Sequence, residues 1–228
     1  MAKKEDMRRN MIQAAIFDLD GTLFDTKPDL FPAFNAAVEK FGYPPCTEER
    51  FGHVIGAGHV ESLVRILPPD FHDDEKLQKM AELFVDLYNH HFADHTYPYP
   101  GMHEALLELH QKGIRLAVLS NKLGSQSKEL CRIRLGDIPF FAICGSGEGY
   151  PMKPDPAYLH AILQSMQVKP KNAVFIGDSD VDIYTAQNGG LKSIGCCWGY
   201  RGEEELRSAG ADRLANSASQ LPEIIASL

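Results

Sequence analysis

Asp18 and Asp20 stand one residue apart at the end of an apolar run, "IQAAIFD" (12–18). With Leu19 between them, both carboxylates lie on one side of an extended backbone. Other chemistry-bearing residues also sit where apolar runs end. "IRLAVLS" (114–120) closes on Ser120 and Asn121, and "AVFIGD" (173–178) runs into "GDSDVD" with Asp178, Asp180 and Asp182. Lys153 opens "KPDP" (153–156), ahead of that last run. Two unit charges about 4 Å apart repel by ~4 kcal/mol near a protein surface, so such a carboxylate cluster calls for a cation. A hard divalent ion meets that need, and magnesium in particular takes few protein carboxylates, keeps waters and shares a phosphate oxygen. One lysine, a hydroxyl and an amide suit the remaining phosphate oxygens.

These residues need elements to hold them. The apolar runs at 12–18, 114–120, 140–145, 173–178 and 191–197 read as buried parallel strands. Helical patterns separate them: "MHEALLELHQKG", with Leu106, Leu109 and His110 at helical spacing and Gly113 as its C-cap, and "AYLHAILQSM", with Leu159, Ile162, Leu163 and Met166 on one face. Strands alternating with helices predict an α/β fold with a Rossmann-like, three-layer parallel-sheet core. In such sheets ligands bind beyond the carboxyl ends of the strands, where the candidate residues stand.

One gap breaks the alternation. Roughly a hundred residues separate the first two strands, too many for a single crossover, and the gap itself reads as helical. Thr26 and Asp29 resemble a capping box. Leu30, Phe34, Val38 and Phe41 form a stripe that Gly42 ends, and Pro32 is expected to kink the first turns. "GHVESLVRIL" and "KLQKMAELFVDLYNHHF" add two more helices. The expectation is a helical cap domain over residues 24–97, inserted into a core of 1–23 and 98–228. "TYPYPG" (96–101) is the return hinge, its prolines stiffening the re-entry.

The balance of 23 basic and 31 acidic residues, a net charge of −8, argues against nucleic acid or an anionic membrane as partner. It leaves room for an anionic substrate, because a metal ion reverses the local sign. Five cysteines without paired CxxC spacing read as reduced thiols of a cytoplasmic protein, with Cys196 and Cys197 in a buried strand. No signal peptide or membrane span is expected, and residues 1–10 read as a frayed, solvated tail.

Taken in order, "DLDGT" (18–22), "LSN" (119–121), the lysine of "KPDP" and "GDSDVD" (177–182) resemble the four motifs of the haloacid dehalogenase-like phosphohydrolases. The similarity is to the branch with a helical cap after the first strand. "GTLFDTKPDL", "KPDPAYL", "GDSDVDIYTAQNGG" and "WGY" (198–200) have the look of its phosphoglycolate phosphatases.

The resemblance implies a Mg2+-dependent phosphatase acting on a small phosphorylated metabolite. Asp18 would be the nucleophile, forming an aspartyl-phosphate. Asp20 would be general acid and then base, its backbone carbonyl ligating the metal. Gly21 permits the tight turn, and Thr22 would hold the second aspartate in place. Ser120 and the Asn121 amide would contact the phosphoryl group, and Lys153 would offset its charge. The metal set implied is Asp18, Asp20, Asp178 and Asp182, with Asp182 acting through a water or by orienting Lys153; Asp180 is ambiguous. A sugar phosphomutase of the β-phosphoglucomutase type, an inorganic pyrophosphatase and, more remotely, a receiver-like phospho-aspartate domain are the alternatives.

Other motifs have blander readings. His91 and His95 in "NHHFADH" are four apart, a spacing compatible with a metal but also with an ordinary helix end. Phe31, Phe34, Phe41 and Phe84 read as the core of the cap. "GAGH" (56–59) is either a loop reaching the leaving group or an interhelical turn. If the substrate carries a carboxylate, His53, His59, Arg65 and Lys27 are the candidate partners.

Overall fold

The computed structural model describes residues 11–69 and 73–228; the N-terminal stretch read above as a tail lies outside them. Six strands form one parallel sheet: β1 (Ala14–Phe17), β4 (Arg115–Leu123), β5 (Ala142–Ser146), β6 (Ala173–Gly177), β7 (Lys192–Cys196) and β8 (Arg213–Ala215). Their order is β5-β4-β1-β6-β7-β8. β1 is central, pairing Phe17 with Val118 on one side and with Ile176 on the other. That register sets the ends of β1 and β6 side by side with Leu119 and Ser120 of β4, which runs on to Leu123 rather than ending at Ser120.

Both faces of β1 are covered, which is why it is apolar throughout. Ala15 and Phe17 point into one core, shared with α5 (Met102–Gln111) and α6 (Gly124–Arg134). Ala14 and Ile16 point into the other, shared with α7 (Ala157–Ser165) and Ala186 of α8 (Asp180–Gly189). The two-residue alternation of a strand divides one short run between two helix layers. Gly113 has φ +81° and its N–H bonds the His110 carbonyl, closing α5 as its sequence predicts. Two further helices, α9 (Gly202–Ser208) and α10 (Leu221–Ala226), complete the core.

Between β1 and β4 lie α1 (Lys27–Lys40), α2 (Glu48–Gly52), α3 (His59–Ile66) and α4 (Asp74–Asn89). They enclose their own apolar cluster, in which Phe34, Phe51, Phe84 and Tyr88 are buried and Phe31 and Phe41 are partly so. Asp73 caps α4, its carboxylate accepting from the Lys76 N–H at 2.9 Å. Gly42 has φ +83° and ends α1, which runs through Pro32 without stopping. The chain leaves and returns side by side: β2 (Phe24–Asp25) pairs antiparallel with β3 (Tyr97–Pro98).

The capping box expected at Thr26 is absent, since Thr26 makes no side-chain cap bond. Asp29 instead turns inward, where its carboxylate accepts from the His95 N–H at 2.9 Å and the Thr96 hydroxyl at 2.7 Å. Tying the segment before the return strand to α1 satisfies the buried Thr96 hydroxyl and the part-buried His95 N–H, which an exposed cap would not do. His95 bonds Asp29 at 3.0 Å and His91 pairs with Asp94 at 2.7 Å, so each histidine has its own carboxylate partner.

Phe34 packs edge-on to Phe84 at 5.5 Å and against Phe51 at 4.8 Å. Phe34→Ala is expected to destabilise these helices by roughly 3–5 kcal/mol, read as an earlier unfolding transition in chemical denaturation.

Candidate active site

Asp18 is the first residue past β1, its N–H still bonded to the Ile176 carbonyl at 2.9 Å. It is buried beside Asp178, at the end of β6, and Asp182, in the first turn of α8. One carboxylate oxygen from each of the three lies within 4.8 Å of the others. Lys153 enters this group from the loop before α7. Its ammonium donates to Asp18 at 2.7 Å and to Asp182 at 2.6 Å, and it lies 5.4 Å from the Phe175 ring centre.

One ammonium does not balance three buried carboxylates. Burial pushes the Asp18 carboxyl up to about 7; Lys153 opposes this and Asp182 adds to it. Asp178 is held well above the usual carboxylate range, first by burial and then by Asp182 and Asp18. Burial works against the charge on Lys153, but Asp18 and Asp182 outweigh it and raise its pKa. A buried, all-oxygen cluster that holds protons this tightly has the donor set a hard dication takes.

Asp182 already uses both oxygens, one for Lys153 and the other for the Ser179 N–H and hydroxyl. That is the pattern of a residue that orients its neighbours. Asp178 accepts from the Thr22 hydroxyl at 3.1 Å and the Tyr200 N–H at 2.8 Å. Gly21 has φ +85°, and a β-carbon built there would lie 2.4 Å from Asp178 Oδ2, so the turn needs glycine twice over.

The family described as haloacid dehalogenase-like hydrolase matches residues 15–196. The chain belongs to the haloacid dehalogenase-like hydrolases. A phosphoglycolate phosphatase of Vibrio parahaemolyticus serotype O3:K6 is 34% identical over 227 residues, covering 96% of this chain and 99% of the relative. A crystal structure from Lactobacillus delbrueckii subsp. bulgaricus, provisionally assigned as a phosphoglycolate phosphatase, is 31% identical with a TM-score of 0.88, covering 96% and 100% of the two chains. CbbY from Rhodobacter sphaeroides, solved in complex with phosphate, is 28% identical with a TM-score of 0.76, covering 96% and 100%.

Two residues of this haloacid dehalogenase-like hydrolase differ from their sequence reading. Thr22 bonds Asp178 and makes no bond to the second aspartate, because the turn after β1 carries its hydroxyl toward the β6 end. Asp20 is held by Lys122, whose Nζ lies 3.1 and 3.4 Å from its two oxygens. Both are buried, with side-chain exposures of 2% for Lys122 and 7% for Asp20. The side chain of Asp20 thus stands apart from the three-carboxylate cluster.

Ser120 is buried, its oxygen accepting from the Lys122 N–H at 3.3 Å. The Asn121 side chain is fully engaged: it donates to the carbonyls of Gly56 and Lys153 and accepts from the Lys153 N–H. Asp180 accepts from the neighbouring Val181 N–H at 2.8 Å, and it is half-buried in the first turn of α8. Cys196 ends β7 in the core, while Cys197 lies beyond the strand and is half-buried; all five thiols are free.

Sequence reasoning missed Lys122 and the contacts of the "WGY" loop. Tyr200 Oη accepts from the Thr26 and Lys27 N–H groups at 2.8 and 3.0 Å, while its own N–H holds Asp178. Arg201 donates to the carbonyls of Gly52 and Ile55. One loop after β7 therefore links the cluster to the start of α1 and the end of α2. The "WGY" spelling was visible, but no periodicity tells which distant groups it reaches.

Proposed function

We propose that this hydrolase is a magnesium-dependent phosphomonoesterase acting on phosphoglycolate through an aspartyl-phosphate on Asp18. Helices α1–α4, within residues 24–97, would act as the cap over a core of 1–23 and 98–228. The observation that carries this reading is the buried Asp18 between Lys153 and two further carboxylates, with Asp20 just beyond. The names of the relatives supply the substrate.

In this mechanism Asp18 attacks phosphorus, and Lys153, already 2.7 Å away, offsets the charge that builds there. Asp20 protonates the leaving oxygen and then takes a proton from the attacking water. Ser120 can donate its hydroxyl to a phosphoryl oxygen, whereas Asn121 can offer only its backbone. Asp18, Asp178 and the Asp20 carbonyl would hold magnesium, with Asp182 and Thr22 steadying the set. Bound there, the ion supplies the positive charge that admits a phosphate among carboxylates. The α1–α4 segment would close over the site and exclude water.

Phosphate release from phosphoglycolate, pyrophosphate and several sugar phosphates, with and without magnesium, tests the reading. Release fastest from phosphoglycolate and lost on chelation is expected. Isomerised sugar phosphates with little free phosphate would overturn it in favour of a mutase.

A stability prediction accompanies the metal. The folded-state pKa of Asp18, about 7, exceeds its ordinary 3.8, so the folded protein binds more protons between those values. Metal-free stability from this group is therefore fully present below the ordinary value and is lost as pH rises through the folded one. Magnesium needs the deprotonated oxygens, so its stabilisation runs the other way: it should raise Tm more at about pH 8 than at about pH 5. Thermal melts with and without the ion at both pH values check this.

A further inference from the structure

Beside Asp20 lies a small pocket of about 30 Å3, roofed by α3 and the loop before it. Its apolar walls include Leu30, Phe51, Ile55 and Phe84; its polar groups include His59 and Lys122. A leaving oxygen that takes its proton from Asp20 must have the rest of its alcohol in this space. An alcohol seated here meets Asp20, His59 and Lys122 among apolar side chains.

We infer that Lys122 is the group that recognises the leaving group, and that it selects phosphomonoesters whose short alcohol carries a carboxylate close to the ester oxygen. The inference rests on the phosphomonoesterase reading above and adds the residue that sets specificity. A carboxylate brought among Leu30, Phe51 and Phe84 loses its water and needs a cation. Among the described residues lining the pocket, Lys122 is the one cation. Its ammonium touches Asp20 and sits 4.4 Å from the Tyr88 ring centre, which fixes its position. It carries three donors, so one ammonium can serve Asp20 and a neighbouring carboxylate together.

The basic residues that the sequence offered for this task are placed elsewhere or uncharged. Lys27 pairs with Glu48 at 3.1 Å, and Arg65 pairs with Glu61 at 2.8 Å on the surface. His53 is exposed and lines a different pocket, with Lys27 and Tyr99. His59 does line the site, edge-on to Phe84 at 5.4 Å. Burial and then the charge of Lys122 push its imidazole down to about 4, so at neutral pH it is a neutral hydrogen-bonding neighbour.

The test compares phosphoglycolate with phosphoglycolamide, its neutral isostere, in the wild type and in Lys122→Met and Lys122→Arg. The readout is the ratio of kcat/KM for the two compounds, because losing the Asp20 partner lowers turnover of both. The wild type should prefer the acid. Lys122→Met should shrink that preference by about 10- to 100-fold, and Lys122→Arg should keep part of it. Equal losses on both compounds in Lys122→Met would overturn the inference and leave Lys122 as a residue that only positions Asp20. Equal rates on both compounds in the wild type would overturn it while the phosphomonoesterase reading stands; release from neither would overturn both. Inhibition of the wild type by the free alcohols needs no variant: glycolate should compete and glycolamide should not, and equal inhibition by the two would count against Lys122.

Discussion

Asp18→Asn is expected to lower phosphate release by on the order of 10^4-fold or more while leaving the fold as stable as before or more so. Asparagine keeps the shape of the side chain and can still accept from Lys153, but it has no charge and no nucleophilic oxygen. Activity should fall with kcat, because the group lost forms a bond only as the reaction proceeds. Stability should move the other way. Asp18 sits with Asp178 and Asp182 around one ammonium, and burial already drives its carboxyl up to about 7. Removing one of three crowded negative charges relieves repulsion, and Lys153 keeps Asp182 at 2.6 Å. Phosphate release and thermal melts on metal-free protein near neutral pH check the pair of outcomes. A variant that lost both activity and stability would point to a structural role for Asp18.

Lys153→Met should do the opposite to stability and the same to activity. Methionine fills the space but leaves Asp18 and Asp182 buried without their cation, and breaking a buried pair from one side costs roughly 3–5 kcal/mol. The methylene stem can still pack near Phe175, so the loss is electrostatic. Activity should drop by about 10^3-fold, the usual scale for removing a charge-stabilising donor. The stability loss should shrink as pH falls, since protonating the carboxylates removes the repulsion, and magnesium should restore part of it. Urea titrations at several pH values, with and without the ion, measure this. Equal losses of stability in Asp18→Asn and Lys153→Met would contradict the charge balance argued for the cluster.

How much of this was legible in the sequence depended on the range of the interactions. The strands β1, β4 and β6 were readable because burial on both faces demands an unbroken apolar run. The ends of β1 and β6 were readable because the polar residues begin there abruptly, at Asp18 and Asp178, whereas β4 runs past Ser120 to Leu123. Helices α5 and α7 follow from their periodicity. The ribbon β2–β3 gives no such signal, being two residues on each side, and β8 spans only Arg213–Ala215.

The site shows the same division. Which residues gather at the strand ends could be read from the motifs; which atom each one touches could not. Thr22 finds Asp178 across 156 positions, and nothing local tells its hydroxyl to prefer that partner over Asp20. Lys122 directly follows Asn121, yet a lysine is a solvated residue by default. It is buried because β4 continues past Ser120 with a shift of register between Leu119 and Leu123, and because Tyr88 of α4 comes down over it. Asp29 looked like a cap because cap and buried anchor share one local spelling; the choice is made by His95 and Thr96, more than sixty residues away.

The central claim is that the phosphoryl group passes through Asp18. Borohydride reduction of enzyme quenched during turnover of phosphoglycolate, followed by peptide mapping, tests it most directly, since an acyl phosphate is reduced to an alcohol where a free carboxylate is not. The account predicts homoserine in place of aspartate at position 18 and an unmodified side chain at Asp20. Reduction at any other carboxylate, or at none while phosphate is being released, would contradict it.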